Sequence, residues 1–190
     1  GARRRMAKEA GAAAVRLVKE NVRPRDIMTM KAFENAMSVD MAVGGSSNTV
    51  LHLTAIAYEA GLELPMKKFD EISAKTPYIT KLSPGGTFHI QDLNEAGGMN
   101  AIMAELAKIG RIHKDALTVT GPMGDRIAKA RTLRPEVIKT VEAPHRATGG
   151  IAILSGNLAP DGAVVKESAV AEDMLVFTGI MTAASLLGML

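Results

Sequence analysis

Apolar residues recur at three- and four-residue spacing along the N-terminal part of the chain, which is the pattern of amphipathic helices. Over residues 6–22 this spacing predicts a first helix, with its end near Asn21. Arg23 and Pro24 follow directly, and proline disfavours helical backbone at the residue before it. We therefore expect the chain to break there before a second helix begins.

The next two predicted helices have clear start and stop signals. Thr29 is a suitable N-cap for the second helix, and Gly44 and Gly45 end it. The third helix is predicted over residues 48–60 and ends at Gly61, with its apolar face buried. The expected inward positions are Phe33, Met37 and Met41 in the second helix and Val50, Leu51, Leu53, Ile56 and Ala57 in the third.

Shorter elements are predicted in the middle of the chain. They are a helix over 66–76 with Phe69 and Ile72 inward, an extended segment over 78–82, a turn over 83–86, a β-rich segment over 116–120 and a short helix over 123–130. A longer helix opens at Asp92 and ends at Gly110. Within it, Gly97 and Gly98 predict close packing or a kink.

The pattern changes after about Arg134, where short β-branched or apolar runs alternate with Gly, Pro and Asp. The predicted strands are 137–141, 151–154, 163–165 and 175–177, with a tight turn at Asn157, Asp161 and Gly162. We place a domain boundary within 131–147. Residues 1–135 are therefore predicted to be the mainly helical end of an α/β domain, and residues 136–190 to begin a β-rich domain.

Composition removes several classes of function. Four phenylalanines and two tyrosines are too few for a base-stacking surface, and the net charge of +3 is small, so we expect no nucleic-acid partner. No apolar run reaches the length of a membrane span, and the charged N-terminus lacks the pattern of a signal peptide. The absence of cysteine fits a reducing compartment, and we expect a cytoplasmic protein without a membrane partner.

The segment VGGSSNTVLH at 43–52 places two glycines and four small polar residues before an apolar helix. The first amides of a helix have no intrahelical acceptor, and the helix dipole favours an anion at that end. The candidate anion-binding residues are Gly44, Gly45, Ser46, Ser47, Asn48 and Thr49, together with His52 one turn further on. Taken alone, these residue types favour plain helix capping over a ligand contact.

Other polar residues have mainly structural interpretations. A buried, hydrogen-bonded side chain is favoured for His52, and an anion contact on the same helix face is the alternative. Glu34, Asn35 and Asp40 are expected to form structural hydrogen bonds within the second helix. The remaining assignments are His89 as a local partner of Asp92, His113 and His145 as loop residues, and Lys166 as a surface or domain-interface charge. The four histidines do not show metal-ligand spacing.

Several longer segments, taken in order, resemble one family. They are KAFENAMSVDMAVGGSSNTVLHLTAIAYEAG at 31–61, FDEISAKTPYITKLSPGG at 69–86, HIQDLNEAGG at 89–98, TGG at 148–150, GNLAPDGAVVK at 156–166 and MLVFTG at 174–179. Together they resemble the dihydroxy-acid dehydratases of branched-chain amino-acid synthesis. The homologous sugar-acid dehydratases, such as phosphogluconate dehydratase, are the nearest alternative. The tail over 180–190 departs from the family pattern.

This resemblance implies a chemistry and a set of cofactors. The family removes water from 2,3-dihydroxy carboxylic acids to give 2-keto acids, using an iron–sulfur cluster, a magnesium ion and a catalytic serine. It also implies an α/β/α first domain, a barrel-like second domain and a homodimer. An iron–sulfur cluster requires thiolates, and this chain has no cysteine.

We therefore expect an internal portion of the enzyme that ligates neither cofactor, contains no catalytic residue and is inactive by itself. Its small-molecule substrate would be a dihydroxy acid, and self-association is expected. A non-catalytic scaffold or dimer-interface remnant is the alternative from a different functional class.

Overall fold

The computed structural model of the chain describes residues 1–170. Its helices are α1 (Ala2–Lys19), α2 (Pro24–Ile27), α3 (Met30–Ala42), α4 (Ser47–Ala60), α5 (Met66–Ser73), α6 (Ile90–Glu95), α7 (Gly98–Lys108) and α8 (Met123–Ile127). Its strands are β1 (Leu117–Thr118), β2 (Gly121–Pro122), β3 (Ala152–Gly156) and β4 (Ala159–Val165), followed by a 3-10 helix at Glu167–Ala169.

The second and third predicted helices are confirmed as α3 and α4. Thr29 is the N-cap of α3, and its predicted inward residues Phe33, Met37 and Met41 are all buried. Helix α4 ends at Gly61, whose φ of 80° is a left-handed conformation that glycine adopts without steric cost. The hydrophobic spacing and the end signals therefore located both helices within one or two residues.

Two clusters of buried apolar side chains hold these elements together. One lies among α6, α7, α8 and the segment that contains Val137 and Ile138, and its centre includes Leu93, Ile102 and Leu106. The other joins α3, α4, α5 and β3 through Phe33, Met37, Met41, Val50, Phe69 and Ile151. Ile151 brings the start of the β3–β4 hairpin into the helical core, so the later part of the chain packs directly on α3 and α5.

The amphipathic helix predicted at the start of the chain is confirmed as α1, which ends at Lys19 and contains no buried residue. The burial expected for α4 is only partly correct. In α4, Val50 and Ala57 are buried, whereas Leu51 is 66% exposed and Ile56 is 44% exposed. The apolar face of α4 is broader than the surface that the rest of the described chain offers it.

The glycine pair at 97–98 separates two helices, α6 and α7, where the sequence predicted one helix with a kink or a close contact. Gly97 has a φ of 119°, and a Cβ on it would lie 2.5 Å from the carbonyl oxygen of Arg131. The predicted close packing is therefore confirmed, because only glycine allows the 131–133 segment to approach this junction.

The strands of the described residues form two antiparallel hairpins, β1–β2 and β3–β4, and isolated bridges join Tyr78 with Arg146 and Leu82 with Phe88. Predicted strands at 151–154 and 163–165 are confirmed within β3 and β4. The predicted strand at 137–141 is wrong, because Val137 and Ile138 are buried in a series of turns. The turn between β3 and β4 falls at Asn157 and Leu158, so Asp161 and Gly162 lie in β4 instead.

The architecture is mainly helical with small antiparallel sheets, which is consistent with the predicted α/β class. The predicted strand at 175–177 and the divergent tail at 180–190 lie outside the described residues. Within residues 1–170, no helix combines the length and the hydropathy needed to cross a bilayer.

Candidate functional site

The turn between α3 and α4 is built on its two glycines. Gly44 and Gly45 have φ values of 101° and 71°, and the Gly45 amide donates to the carbonyl oxygen of Asp40 at 2.8 Å. A Cβ on Gly45 would lie 2.3 Å from Cγ1 of Ile151. Both the backbone conformation and the close approach of Ile151, the residue before β3, therefore require glycine at this position.

Asp40 of α3 accepts two hydrogen bonds beside the start of α4. Its Oδ2 accepts the Ser46 amide at 3.3 Å, and its Oδ1 accepts the Thr49 hydroxyl at 2.9 Å. Burial raises the pKa of Asp40 above its ordinary value, although these two hydrogen bonds and the charge of Lys166 oppose the rise. The predicted structural role of Asp40 is confirmed, and its partners lie in the next helix.

The structure brings Gly44, Gly45, Ser46, Ser47, Asn48 and Thr49 together in one turn and one helix start. Ser46 and Thr49 are half-buried beside Asp40, whereas Ser47 and Asn48 are exposed to solvent. His52 is also exposed, so the expectation of a buried histidine is wrong. Its position four residues after Asn48 places it one turn along the same helix.

A cavity of about 650 Å³ adjoins this helix start. Asp40 and Thr49 line one part of it, and Arg126 of α8 lines another. Most of the remaining lining is apolar and includes Val39, Val43, Met99, Met103, Leu117 and Met123. The volume falls in the range of roughly 300–1,000 Å³ that is typical of small-molecule sites.

The later part of the chain contacts the glycine turn directly. The Ser168 hydroxyl donates to the carbonyl oxygen of Gly44, and the Gly150 amide donates to the carbonyl oxygen of Met41 at 3.0 Å. A Cβ on Gly150 would lie 2.2 Å from the carbonyl carbon of Gly44. Sequence reasoning missed Ser168, because no local pattern reports a contact between residues 124 positions apart.

A second polar cluster lies on the other side of α3. Glu34 contacts Lys68 of α5 and the His113 ring, each at 2.5 Å, and the Asn35 side chain bonds both backbone groups of His113. Burial raises the pKa of Glu34, but the hydrogen bonds and charge interactions with Lys68 and His113 outweigh it and hold this pKa below its usual value. The predicted structural role of Glu34 and Asn35 is confirmed, although the assignment of His113 as a simple loop residue missed this cluster.

The remaining histidines have structural surroundings. The His89 amide donates to Asp92 Oδ2 at 2.8 Å at the start of α6, which confirms the predicted local pair. The His145 ring packs against Tyr78 with centroids 5.8 Å apart. Burial and the charges of Lys81 and Lys139 lower the pKa of His145, which favours its neutral form.

Two family models match this chain, one after the other. Residues 1–127 match the family model described as dihydroxy-acid/6-phosphogluconate dehydratase N-terminal, and residues 136–184 match the corresponding C-terminal model. The chain belongs to this dehydratase family. The family assignment that the sequence motifs predicted is thereby confirmed.

Curated relatives of this dehydratase chain are named dihydroxy-acid dehydratase. The protein of Caldanaerobacter subterraneus subsp. tengcongensis is 53% identical over 92% of this chain and 32% of its own length. That of Moorella thermoacetica is 54% identical over 94% of this chain and 33% of its own length. That of Desulfosudis oleivorans is 55% identical over 92% of this chain and 32% of its own length. The chain thus spans about a third of the length of the curated relatives it matches.

The residues of this dehydratase chain do not fit the cofactors that the family resemblance implied. An iron–sulfur cluster needs thiolate ligands, and the chain has no cysteine. Within residues 1–170, no group of three or more His, Asp or Glu side chains is arranged to hold a metal ion. Asp40, the acidic residue nearest the glycine turn, bonds Ser46 and Thr49 instead.

Proposed function

We propose that this dehydratase removes water from 2,3-dihydroxy carboxylic acids to give 2-keto acids in the biosynthesis of valine and isoleucine. The observation that carries the choice of substrate is the apolar lining of the cavity beside Asp40 and Thr49. A branched aliphatic side chain gains free energy by leaving water for such a surface, whereas the hydroxyl groups of a sugar acid lose hydrogen bonds there. The curated relatives are named dihydroxy-acid dehydratase, which supports the same choice.

The turn after α3 supplies donors for the acid group of the substrate in this proposal. Asp40 already accepts from Ser46 and Thr49, so the donors left for a ligand are those on the solvent side. Ser47 and Asn48 occupy that side, and their amides lie in the first turn of α4, where no intrahelical acceptor exists. Within this proposal, Ser47 and Asn48 contact the anion directly, and His52 lies one helical turn away. The full set of proposed anion-binding residues in the turn is Gly44, Gly45, Ser46, Ser47, Asn48 and Thr49.

The chain by itself is expected to be inactive. Without cysteine it cannot ligate an iron–sulfur cluster, so that cluster and the magnesium ion would be ligated by residues outside those described. We further propose that the active enzyme is a cytoplasmic homo-oligomer. Purified 190-residue chain should show no brown chromophore and form no keto acid from 2,3-dihydroxyisovalerate, and turnover by the chain alone would refute this expectation.

Titration of the purified chain tests the proposed substrate class. We expect 2,3-dihydroxyisovalerate to cause saturable NMR shifts at the Ser47 and Asn48 amides and at the Met99 and Met103 methyl groups, and gluconate to cause much smaller ones. Ala36→Leu should weaken these shifts, because Ala36 lines the cavity from an exposed position on α3. The matched control is Ala55→Leu, which adds the same volume to an exposed position of α4 outside the cavity.

Each result separates the proposal from an alternative. Equal or stronger shifts with gluconate would favour a sugar-acid dehydratase. The absence of saturable shifts with either acid would favour the scaffold alternative, which the hydrogen bonds of Ser46 and Thr49 to Asp40 support. If Ala36→Leu and Ala55→Leu weakened the NMR shifts equally, the cavity would not be part of the binding site.

A further inference from the structure

A second, strongly cationic cleft lies at the start of α7. Its volume is about 390 Å³, and its lining includes Arg126, Lys129 and Arg131 together with Asn100 and Gly97. Among the residues that the structure describes, no carboxylate lines this cleft. The cleft therefore gathers three positive charges in a chain whose net charge is only +3.

Backbone contacts fix the segment that carries these cations. The Leu133 amide donates to the carbonyl oxygen of Ala96 at 2.8 Å, and the Ala130 amide donates to that of Ile127 at 2.9 Å. The close approach of Gly97 to the carbonyl oxygen of Arg131 holds the segment against the α6–α7 junction. The side chains of Lys129 and Arg131 thus project from a backbone held in place on both sides.

These three cations differ from the arginine that follows them along the chain. Arg134 contacts Asp92, Glu95 and Glu136 at 2.8–3.2 Å, so its charge is neutralised within the protein. Among residues 1–170, neither Lys129 nor Arg131 forms an ion pair, and Arg126 donates to the neutral Thr120 hydroxyl at 3.2 Å. Their charge remains available to a ligand.

The start of α7 adds backbone amides to these cationic side chains. Gly97 is the N-cap of the 11-residue helix α7, no side chain caps that end, and no acidic residue lies in its first turn. The amides at the start of α7 therefore add partial positive charge beside the cationic side chains. Side chains and backbone together make the cleft a concave site for an anion.

We propose that this cleft binds the phosphate group of a small molecule. A phosphate carries a charge of about −1.5 to −2 at neutral pH and three acceptor oxygens, which matches several unpaired cations better than a monocarboxylate does. Arginine guanidinium groups bind such oxygens through two parallel hydrogen bonds. This proposal does not rest on the proposed dehydratase function. The cleft shares Arg126 with the cavity beside Asp40, whereas Lys129 and Arg131 do not line that cavity and lie between the segments matched by the two family models.

Calorimetric titration with inorganic pyrophosphate tests the proposal on the purified chain. The double substitution Lys129→Gln/Arg131→Gln should weaken binding by at least about tenfold, because each removes a charge-assisted contact. Arg3→Gln/Arg4→Gln is the matched control, since it removes two positive charges from exposed positions of α1. We expect the control to change the affinity by less than about twofold.

Three outcomes would overturn the proposal. They are equal weakening by both double substitutions, binding of acetate as tight as that of pyrophosphate with the same dependence on Lys129 and Arg131, and no saturable binding of pyrophosphate. Circular dichroism of both variants verifies folding, which exposed substitutions should preserve. Shifts of the Gly97 and Asn100 amides on titration would locate the bound anion at this cleft.

Discussion

The starts of α4 and α7 have the same type of backbone end but different surroundings. At α4, the Asp40 carboxylate accepts from the Ser46 amide just before the helix and from the Thr49 hydroxyl, so a negative group of the chain itself lies beside this end. At α7, cationic side chains surround the end instead, although neither helix has a side-chain cap or an acidic residue in its first turn. Side chains delivered by other elements therefore set the charge that surrounds a helix start.

The largest expected effect is at the turn that leads into α4. Gly45→Ala should lower the free energy of unfolding by roughly 2–6 kcal/mol, because it combines backbone strain at positive φ with overpacking against Ile151. Urea unfolding followed by circular dichroism measures this loss. In the matched control Gly11→Ala, the added Cβ meets nothing within 4 Å, and we expect no loss of stability. Equal losses in both variants would show that the turn tolerates a side chain.

The second largest effect is expected at the apolar contact beneath the same turn. Ile151 is 1% exposed and packs in the cluster of α3, α4 and α5. Ile151→Ala should cost about 2–5 kcal/mol through lost burial and the cavity left behind. Leu158→Ala, at a site that is 83% exposed, should change the unfolding free energy by less than about 0.5 kcal/mol. A small loss for Ile151→Ala would mean that β3 does not support the turn.

The carboxylate at α4 predicts a pH dependence. The pKa of Asp40 is raised by burial, so the stability that this group contributes is complete below the ordinary value of 3.8 and is lost as the pH rises through the folded-state pKa. The Asp40→Asn variant has no ionisable side chain at this position, so it does not lose stability as the pH rises through that pKa. The unfolding free energy of the variant relative to the native chain should therefore increase between pH 3 and pH 7.

Urea unfolding at both pH values measures this difference, with Asp125→Asn on an exposed site of α8 as the control. A relative stability that falls toward pH 7 would mean that the hydrogen bonds to the ionised Asp40 outweigh its burial.

The smallest expected effect is at α7. Lys129→Gln/Arg131→Gln should change the unfolding free energy by less than about 0.5 kcal/mol, because both side chains are exposed and form no ion pair among the described residues. Chemical denaturation at low salt provides the measurement. A loss above 1 kcal/mol, in the range of buried or paired groups, would show that these cations stabilise the fold and would weaken the contrast with α4.

Local sequence signals were sufficient where a helix and its core face coincide. Phe33, Met37 and Met41 recur at four-residue spacing, and all three are buried in α3. The same type of spacing predicted α1 correctly as a helix, although no residue of α1 is buried. Periodicity reports the secondary structure, whereas burial depends on which other surface is present to cover the face.

Those local signals could not predict long-range contacts. Val137 and Ile138 are β-branched and buried, yet they lie in turns because packing against α6 and α7 decides their conformation. The contact of Glu34 with His113 joins residues 79 positions apart, and that of Ser168 with Gly44 joins residues 124 apart. The candidate turn could be located from its composition, but the groups that surround it could not.

Helix α1 has a consequence for local opening. None of its 18 residues is buried, and its attachments to the described chain include one hydrogen bond from Arg16 to the carbonyl oxygen of Val119. Unwinding α1 therefore exposes almost no additional apolar surface and does not require the core to open. Its amides should exchange with deuterium long before those of α3, and trypsin should cleave first at Arg3, Arg4 and Arg5, leaving the rest of the domain folded.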